Sequence, residues 1–357
     1  MSTRVFLNKK NNQTYVLIGA GIIAGLAYTV FSDGLSKPMP VINSIIIGIL
    51  LGTLVSFIES NVFTAKLRRN YSFLPLLGIR VAIYSAVILV VLILVFSVSR
   101  VFWFNLSYLD VLRSAEFQEY IFEKDFIVVV FYSIGMIGLV VFTYQITRKL
   151  GQGYLENIIT GKYYDPQREE RVFCFVRIHE VERIAKELGA ENHYSFINDL
   201  IYDITNTILF YDGIIYHYVD GEMVIFWAPK KAYNRASCIR CYFALTDQLF
   251  SRREYYLETY NHFPYLLAGM HLGTVIHGEI GHGRTEISFY GDVLNTTSRI
   301  LNMSTIEAPL LISQAVLDKI ELPQIYECIE KEDNLLEGKS NPVRLYSIRE
   351  KVLKNRP

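Results

Sequence analysis

The sequence predicts four membrane-spanning helices followed by one mixed α and β domain, on three observations. The chain of 357 residues is 51% hydrophobic with a mean hydropathy of +0.25, whereas a soluble domain of this size rarely averages apolar. The apolar excess lies within residues 1–145, and four segments there approach the roughly 20 apolar residues that a bilayer crossing requires. From Arg171 onward strand and helix patterns alternate instead, over a length ordinary for a single core.

The spans are predicted at Tyr15–Phe31, Val41–Ile58, Leu74–Val98 and Phe126–Tyr144. Arg80 lies near the start of the third, where its long side chain is expected to reach the membrane interface. The spans contain almost no acids or paired charges, which argues against a transport path. Basic residues set the orientation. Arg4, Lys9 and Lys10 precede the first span, Lys66, Arg68 and Arg69 separate the second from the third, and Arg148 and Lys149 follow the fourth. The opposite loops carry Lys37, and Arg100, Arg113 and Lys124 against Asp110, Glu116, Glu119, Glu123 and Asp125. An integral membrane protein with both termini cytoplasmic is expected. The aromatic segment 101–124 is expected to be an interfacial helix.

Residues 1–145 thus form the predicted membrane domain, 146–170 a polar connector, 171–349 the mixed domain and 350–357 a tail. RVFCFVRI reads as a strand, Val181 to Leu188 and HYSFINDLIYDITNTILFY as two helices, and GIIYHYV with EMVIFWA as paired strands. ASCIRCYFALTDQLF reads as an amphipathic helix, so Cys238 and Cys241 belong to its core face rather than to a zinc site, which needs four ligands. A formal net charge of +0, with no basic stripe, gives no support to nucleic-acid binding.

The densest pattern is AGMHLGTVIHGEIGHGRTEISFYGDVLNTTSRI. It spaces Gly269, His271, Gly273, Val275, Gly278, Ile280 and Gly281 over what reads as two strands joined near Leu272–Gly273. Gly291 and Asp292 then open a helix that carries Asn295 and Arg299 on one face, four residues apart. Through these residues the chain resembles the class III nucleotidyl cyclases, over roughly residues 171–348.

The resemblance implies an α+β, ferredoxin-like domain that converts a purine nucleoside triphosphate, ATP or GTP, to a 3′,5′-cyclic nucleotide and pyrophosphate. The site would form between two chains, as a homodimer or a heterodimer. Asn295 would position the ribose and Arg299 would stabilise charge on the phosphates, since such a reaction runs on positioning and charge stabilisation. Two ions, Mg or Mn, are held in working cyclases by two aspartates. At the first of those positions this chain has Arg177, whose fixed charge repels a metal. The second falls in HYVDGEMVIFW. With Phe226 as the reference, Asp220 is the metal residue. With Trp227 as the reference, the order Gly-Asp is reversed to Asp220-Gly221. Asp-Gly is also a two-residue hairpin turn in its own right. Base recognition falls on Ser288 and on Tyr216 or His217, according to register; His217 also reads as a half-exposed strand residue with no ligand. Two functions follow: a membrane-anchored cyclase that uses Mg or Mn, or a catalytically inactive cyclase-like module that holds no metal and acts as a regulatory or heterodimer partner.

Overall fold

A computed structural model describes residues 2–32, 38–63, 73–105, 107–115, 117, 119, 124–150, 160–161, 164–219, 221–281, 286–331 and 343–351. The chain divides into two compact units, Met1–Lys149 and Leu150–Pro357.

The first unit contains α1 (Ser2–Ser32), α2 (Pro38–Asn61), α3 (Phe73–Phe104), the short α4 (Tyr108–Arg113) and α5 (Lys124–Leu150). Four of them hold segments long and apolar enough to cross a membrane, Thr14–Ser32, Pro38–Asn61, Pro75–Trp103 and Phe126–Thr143. Helices α1 and α2 pack backbone to backbone. A Cβ on Gly48 would lie 2.6 Å from the Ile22 nitrogen, so only glycine permits the approach.

Arg80 corrects the expectation that it reaches the interface. It is 1% exposed, and Glu59 at the end of α2 is 5% exposed. The Arg80 Nε lies 3.1 Å from Glu59 Oε1 without hydrogen-bond alignment, while Nη2 donates to Oε2 at 3.3 Å. The Tyr84 hydroxyl donates to Oε1 at 2.7 Å, and the guanidinium lies 4.6 Å from the centre of the Phe63 ring. A lone buried charge is costly, but a counter-charge and an aromatic face offset that cost inside the bundle. The first unit therefore does contain a paired charge.

The second unit is built on an eight-stranded sheet ordered β2-β3-β1-β4-β6-β8-β7, with β5 also paired to β4. The strands are β1 (Gln167–Ile178), β2 (Ile214–Val219), β3 (Glu222–Trp227), β4 (Leu266–Ile280), β5 (Glu286–Tyr290), β6 (Leu310–Ser313), β7 (Tyr326–Glu330) and β8 (Leu345–Glu350). The helices are α6 (Val181–Phe210), α7 (Pro229–Tyr233), α8 (Ser237–Phe250), α9 (Arg253–Tyr260), α10 (Asp292–Asn302) and α11 (Gln314–Leu317). Gly189, at φ 72° and ψ 167°, breaks α6 where the sequence separates two helices.

Side-chain alternation gives the sheet two distinct faces. Val172, Cys174, Val176 and Ile178 of β1 join Met223, Ile225 and Trp227 of β3 in the main core with α6, α8 and α9. Phe173, Phe226, Val275, Phe289 and Val293 form a second cluster on the opposite face. Cys238 and Cys241 are buried free thiols of the main core.

The pattern expected to form two strands near Leu272–Gly273 is one continuous strand, β4. Antiparallel pairing with β1 runs unbroken from Gln167 opposite His277 to Ile178 opposite Leu266, and this ladder overrides the local glycine signal. The glycines serve helix packing instead. A Cβ on Gly269 would lie 2.4 Å from the Leu301 nitrogen, and one on Gly273 would lie 2.9 Å from the Val293 side chain. Helix α10 therefore rests directly on β4.

Candidate functional site

Alternation places Arg177 on the same face as Phe173 and Phe175, opposite Glu222 in the β1–β3 register. Its Nη1 donates to Glu222 Oε1 at 3.1 Å and to Asn302 Oδ1 of α10 at 3.0 Å. Arg177 and Glu222 are each about one-third exposed, with side-chain values of 29% and 33%. One guanidinium thus ties two strands and a helix together. Cross-strand opposite charges are a recognised stabilising pair.

Strands β2 and β3 are separated by two residues, and Val219 pairs with Glu222 across the turn. Gly221 has φ +79°, and a Cβ there would lie 2.6 Å from Val181. A positive φ in a two-residue connection is the geometry that an Asp-Gly hairpin favours. Asp220 itself lies outside the described residues.

Within β2 a register shift between Ile215 and His217 bulges Tyr216. The Tyr216 hydroxyl comes 3.4 Å from the Ser288 hydroxyl, and its ring lies 4.9 Å from Phe289. His217, opposite Val224, is exposed. Of the two candidates left open by the sequence, Tyr216 is the one joined to Ser288.

Helix α10 begins at Asp292 after Gly291, and its buried face is Val293, Thr296, Thr297, Ile300 and Leu301. Asn295 is exposed and Arg299 half-buried, and neither side chain has a hydrogen-bond partner among the described residues. They remain available to a ligand or another chain, whereas Arg177 is bonded to Glu222 and Asn302 through Nη1.

Residues 164–350 match the family described as the adenylate and guanylate cyclase catalytic domain. "Adenylate cyclase 2" of Rhizobium meliloti (strain 1021) is 28% identical over 221 residues, which cover 62% of this chain and 61% of that protein. The chain thus spans about three-fifths of that relative's length. A bacterial light-regulated adenylyl cyclase aligns in structure with a TM-score of 0.51 at 17% identity, over 60% of this chain and 63% of the other. The adenylyl cyclase CyaB from P. aeruginosa aligns at 21% identity with a TM-score of 0.48, over 52% of this chain and 97% of that one. At 17% identity the likeness to the light-regulated cyclase speaks for the fold alone. The chain belongs to the class III adenylate and guanylate cyclase family, with four helices ahead of its catalytic-type domain that are long and apolar enough to cross a membrane.

Family members generally use Mg or Mn, and Asp220, expected at the second metal position, lies outside the described residues. Where the resemblance expects the first metal aspartate the chain has Arg177, whose guanidinium is bonded to Glu222. No group of three or more His, Cys, Asp or Glu suited to a metal occurs among the described residues. Two participants escaped sequence reasoning, Glu222 and Asn302. Glu222 was accessible from the sequence: an Asp-Gly hairpin fixes which β3 residue faces β1, and an acid there opposite an Arg signals an ion pair. Asn302, on the last turn of α10, gave no such signal.

Proposed function

We propose that this chain is the nucleotide-positioning half of a two-chain cyclase, anchored in the membrane with both termini on the cytoplasmic side. Residues 1–145 serve as the anchor, 146–170 as the connector and 171–349 as the cyclase domain. The observation that carries the reading is the contrast at the site. Arg177 is tied to Glu222 and Asn302, while Asn295 and Arg299 have no hydrogen-bond partner among the described residues. The chain keeps the residues that orient a ribose and balance phosphate charge, and has converted its own metal position into an ion pair. A second class III chain would bring the metal-binding carboxylates. The Tyr216 and Ser288 hydroxyls donate or accept toward a purine edge, and the adenylate cyclase relative favours ATP.

The test uses the full chain in lipid nanodiscs with ATP or GTP and with Mg or Mn. The chain alone should form no cyclic nucleotide. Mixed with a class III catalytic domain that retains both metal aspartates but has lost its own Asn–Arg pair, it should restore product. Arg299→Ala should remove that restoration by about a hundredfold, the scale of one lost transition-state charge contact. Product from the homodimer alone would defeat the proposal.

A further inference from the structure

The first unit holds a cavity of about 720 Å³ between the α1–α2 pair and helices α3 and α5. That volume lies inside the roughly 300–1,000 Å³ range of small-molecule sites. One end is apolar, lined by Leu17, Leu51, Val55, Leu92 and Val140. The other carries Thr29, Asn43, Ser44, Tyr132 and Ser133. Leu17 and Tyr28 mark these two levels on α1, about 16 Å apart at the helical rise. One wall is fixed along that length. A Cβ on Gly25 would lie 2.8 Å from the Ser44 carbonyl oxygen, and one on Gly52 would lie 2.5 Å from the Ile18 Cα. Helices α1 and α2 already touch backbone to backbone, so neither can close further on the other to fill the space.

The polar end is short of partners and offers no spare charge. Thr29 Oγ1 donates to the Gly25 carbonyl at 3.1 Å, Ser44 Oγ to that of Val41 at 2.9 Å, and the Tyr132 hydroxyl to that of Ala24 at 2.9 Å. Asn43 is 6% exposed, lines the cavity and has no hydrogen-bond partner among the described residues. The half-buried Ser133 hydroxyl has none there either. A buried amide left without partners is costly, and it presents both donors and an acceptor. None of the described lining residues is acidic. Arg100, which also lines the space, is already engaged, its guanidinium 5.9 Å from the centre of the buried Phe117 ring. A charged head would therefore lose its water without gaining a counter-charge, whereas a neutral donor and acceptor meets its match in Asn43.

We infer that this cavity binds an uncharged single-chain amphiphile, its hydroxyl or carboxamide head at Asn43 and Ser133 and its tail running toward Leu17 and Val55. The inference rests on the first unit alone and is independent of the function proposed for the cyclase domain. A neutral bilayer lipid and a more water-soluble alcohol or amide share the required chemistry.

The test places the full chain in phosphatidylcholine nanodiscs with decanol carrying a diazirine at its tail, and maps photolabelled residues by mass spectrometry. Saturable labelling is expected at Leu51, Leu92 and Val140. Competitors are compared at equal mole fraction in the bilayer. Decanol and decanamide should compete about tenfold better than decane, decyl sulfate or decyltrimethylammonium, the scale of one hydrogen bond to a buried group. Hexadecanol competing better than decanol identifies a bilayer lipid as the source, and the reverse a more water-soluble amphiphile; both support the site. Asn43→Leu removes an unpartnered amide and should keep the parent's unfolding midpoint, yet weaken labelling by a similar factor. Leu51→Trp, which fills the tail end, should abolish labelling at Leu92 and Val140. Unsaturable labelling spread over the outward-facing Ile23, Phe131 and Leu139 would overturn the inference as ordinary lipid contact. So would equal competition by decane or decyl sulfate, labelling indifferent to both substitutions, or cross-links showing that a second copy fills the cavity.

Discussion

Replacing Arg177 by Met removes two hydrogen bonds from one guanidinium, at 3.1 Å to Glu222 and 3.0 Å to Asn302. Both ionic side chains are about one-third exposed, so their worth falls between an exposed pair, about 0.2–1 kcal/mol, and a buried charge-assisted bond, about 1.5–3 kcal/mol. A loss of about 1–2 kcal/mol is expected, or roughly 2–8 °C for a domain of this size. In a double-mutant cycle with Glu222→Gln the coupling should be about 0.5–1.5 kcal/mol. Arg177→Asp should cost more, because it sets two carboxylates opposite each other across β1 and β3. That variant alone should regain stability with Mg or Mn, by about 2.7 kcal/mol when the metal is at about a hundred times its dissociation constant. The assay is thermal unfolding of the full chain in nanodiscs, followed by Trp227 fluorescence in a Trp103→Phe background. Coupling below about 0.3 kcal/mol would refute the idea that the ion pair has replaced a metal site. Equal metal stabilisation of the natural chain and Arg177→Asp would refute it too.

Three other substitutions probe the surrounding structure. Gly269→Ala should destabilise the cyclase domain by about 3 kcal/mol, since its methyl would strike the Leu301 backbone, which cannot rotate away; urea unfolding measures it. Glu59→Leu leaves Arg80 buried without its counter-charge, for a loss of about 3–5 kcal/mol. In thermal unfolding, the double variant with Arg80→Met should recover most of it. Burial pushes the Cys238 thiol up to about 12, above about 8.5 for a free thiol. The folded state therefore keeps a proton that the unfolded chain releases, and this contribution, complete below the unfolded value, is lost as pH rises toward 12. Cys238→Ala should make the fall in unfolding free energy between about pH 9 and 12 shallower by about 1.4 kcal/mol per pH unit.

The sequence carried the architecture because its strongest signals are local. Apolar runs mark the four long helices, and alternation with turn residues marks β1, β2 and β3. The Asp-Gly pair marks their hairpin, and the end of the first predicted helix at Leu188 falls at the break in α6. Non-local causes were harder to read. β4 reads as two strands because Gly273 interrupts its local pattern, yet long-range pairing with β1 holds it as one. Arg80 reads as an interfacial anchor because its counter-charge is on another helix. At the site, Asn295, Arg299 and Ser288 were named through the resemblance, and of these Ser288 is joined to Tyr216. The choice of Tyr216 over His217 depended on a bulge, which spacing does not encode.

The central claim is that this chain contributes nucleotide-positioning residues to a site whose metal-binding half comes from elsewhere. The most direct measurement is cyclic nucleotide formation by the full chain, alone and mixed with a class III domain that lacks its own Asn–Arg pair. The account predicts product only in the mixture, and loss of that product with Arg299→Ala. Product from the chain alone, or a demonstrated mixed dimer that makes none, would contradict it.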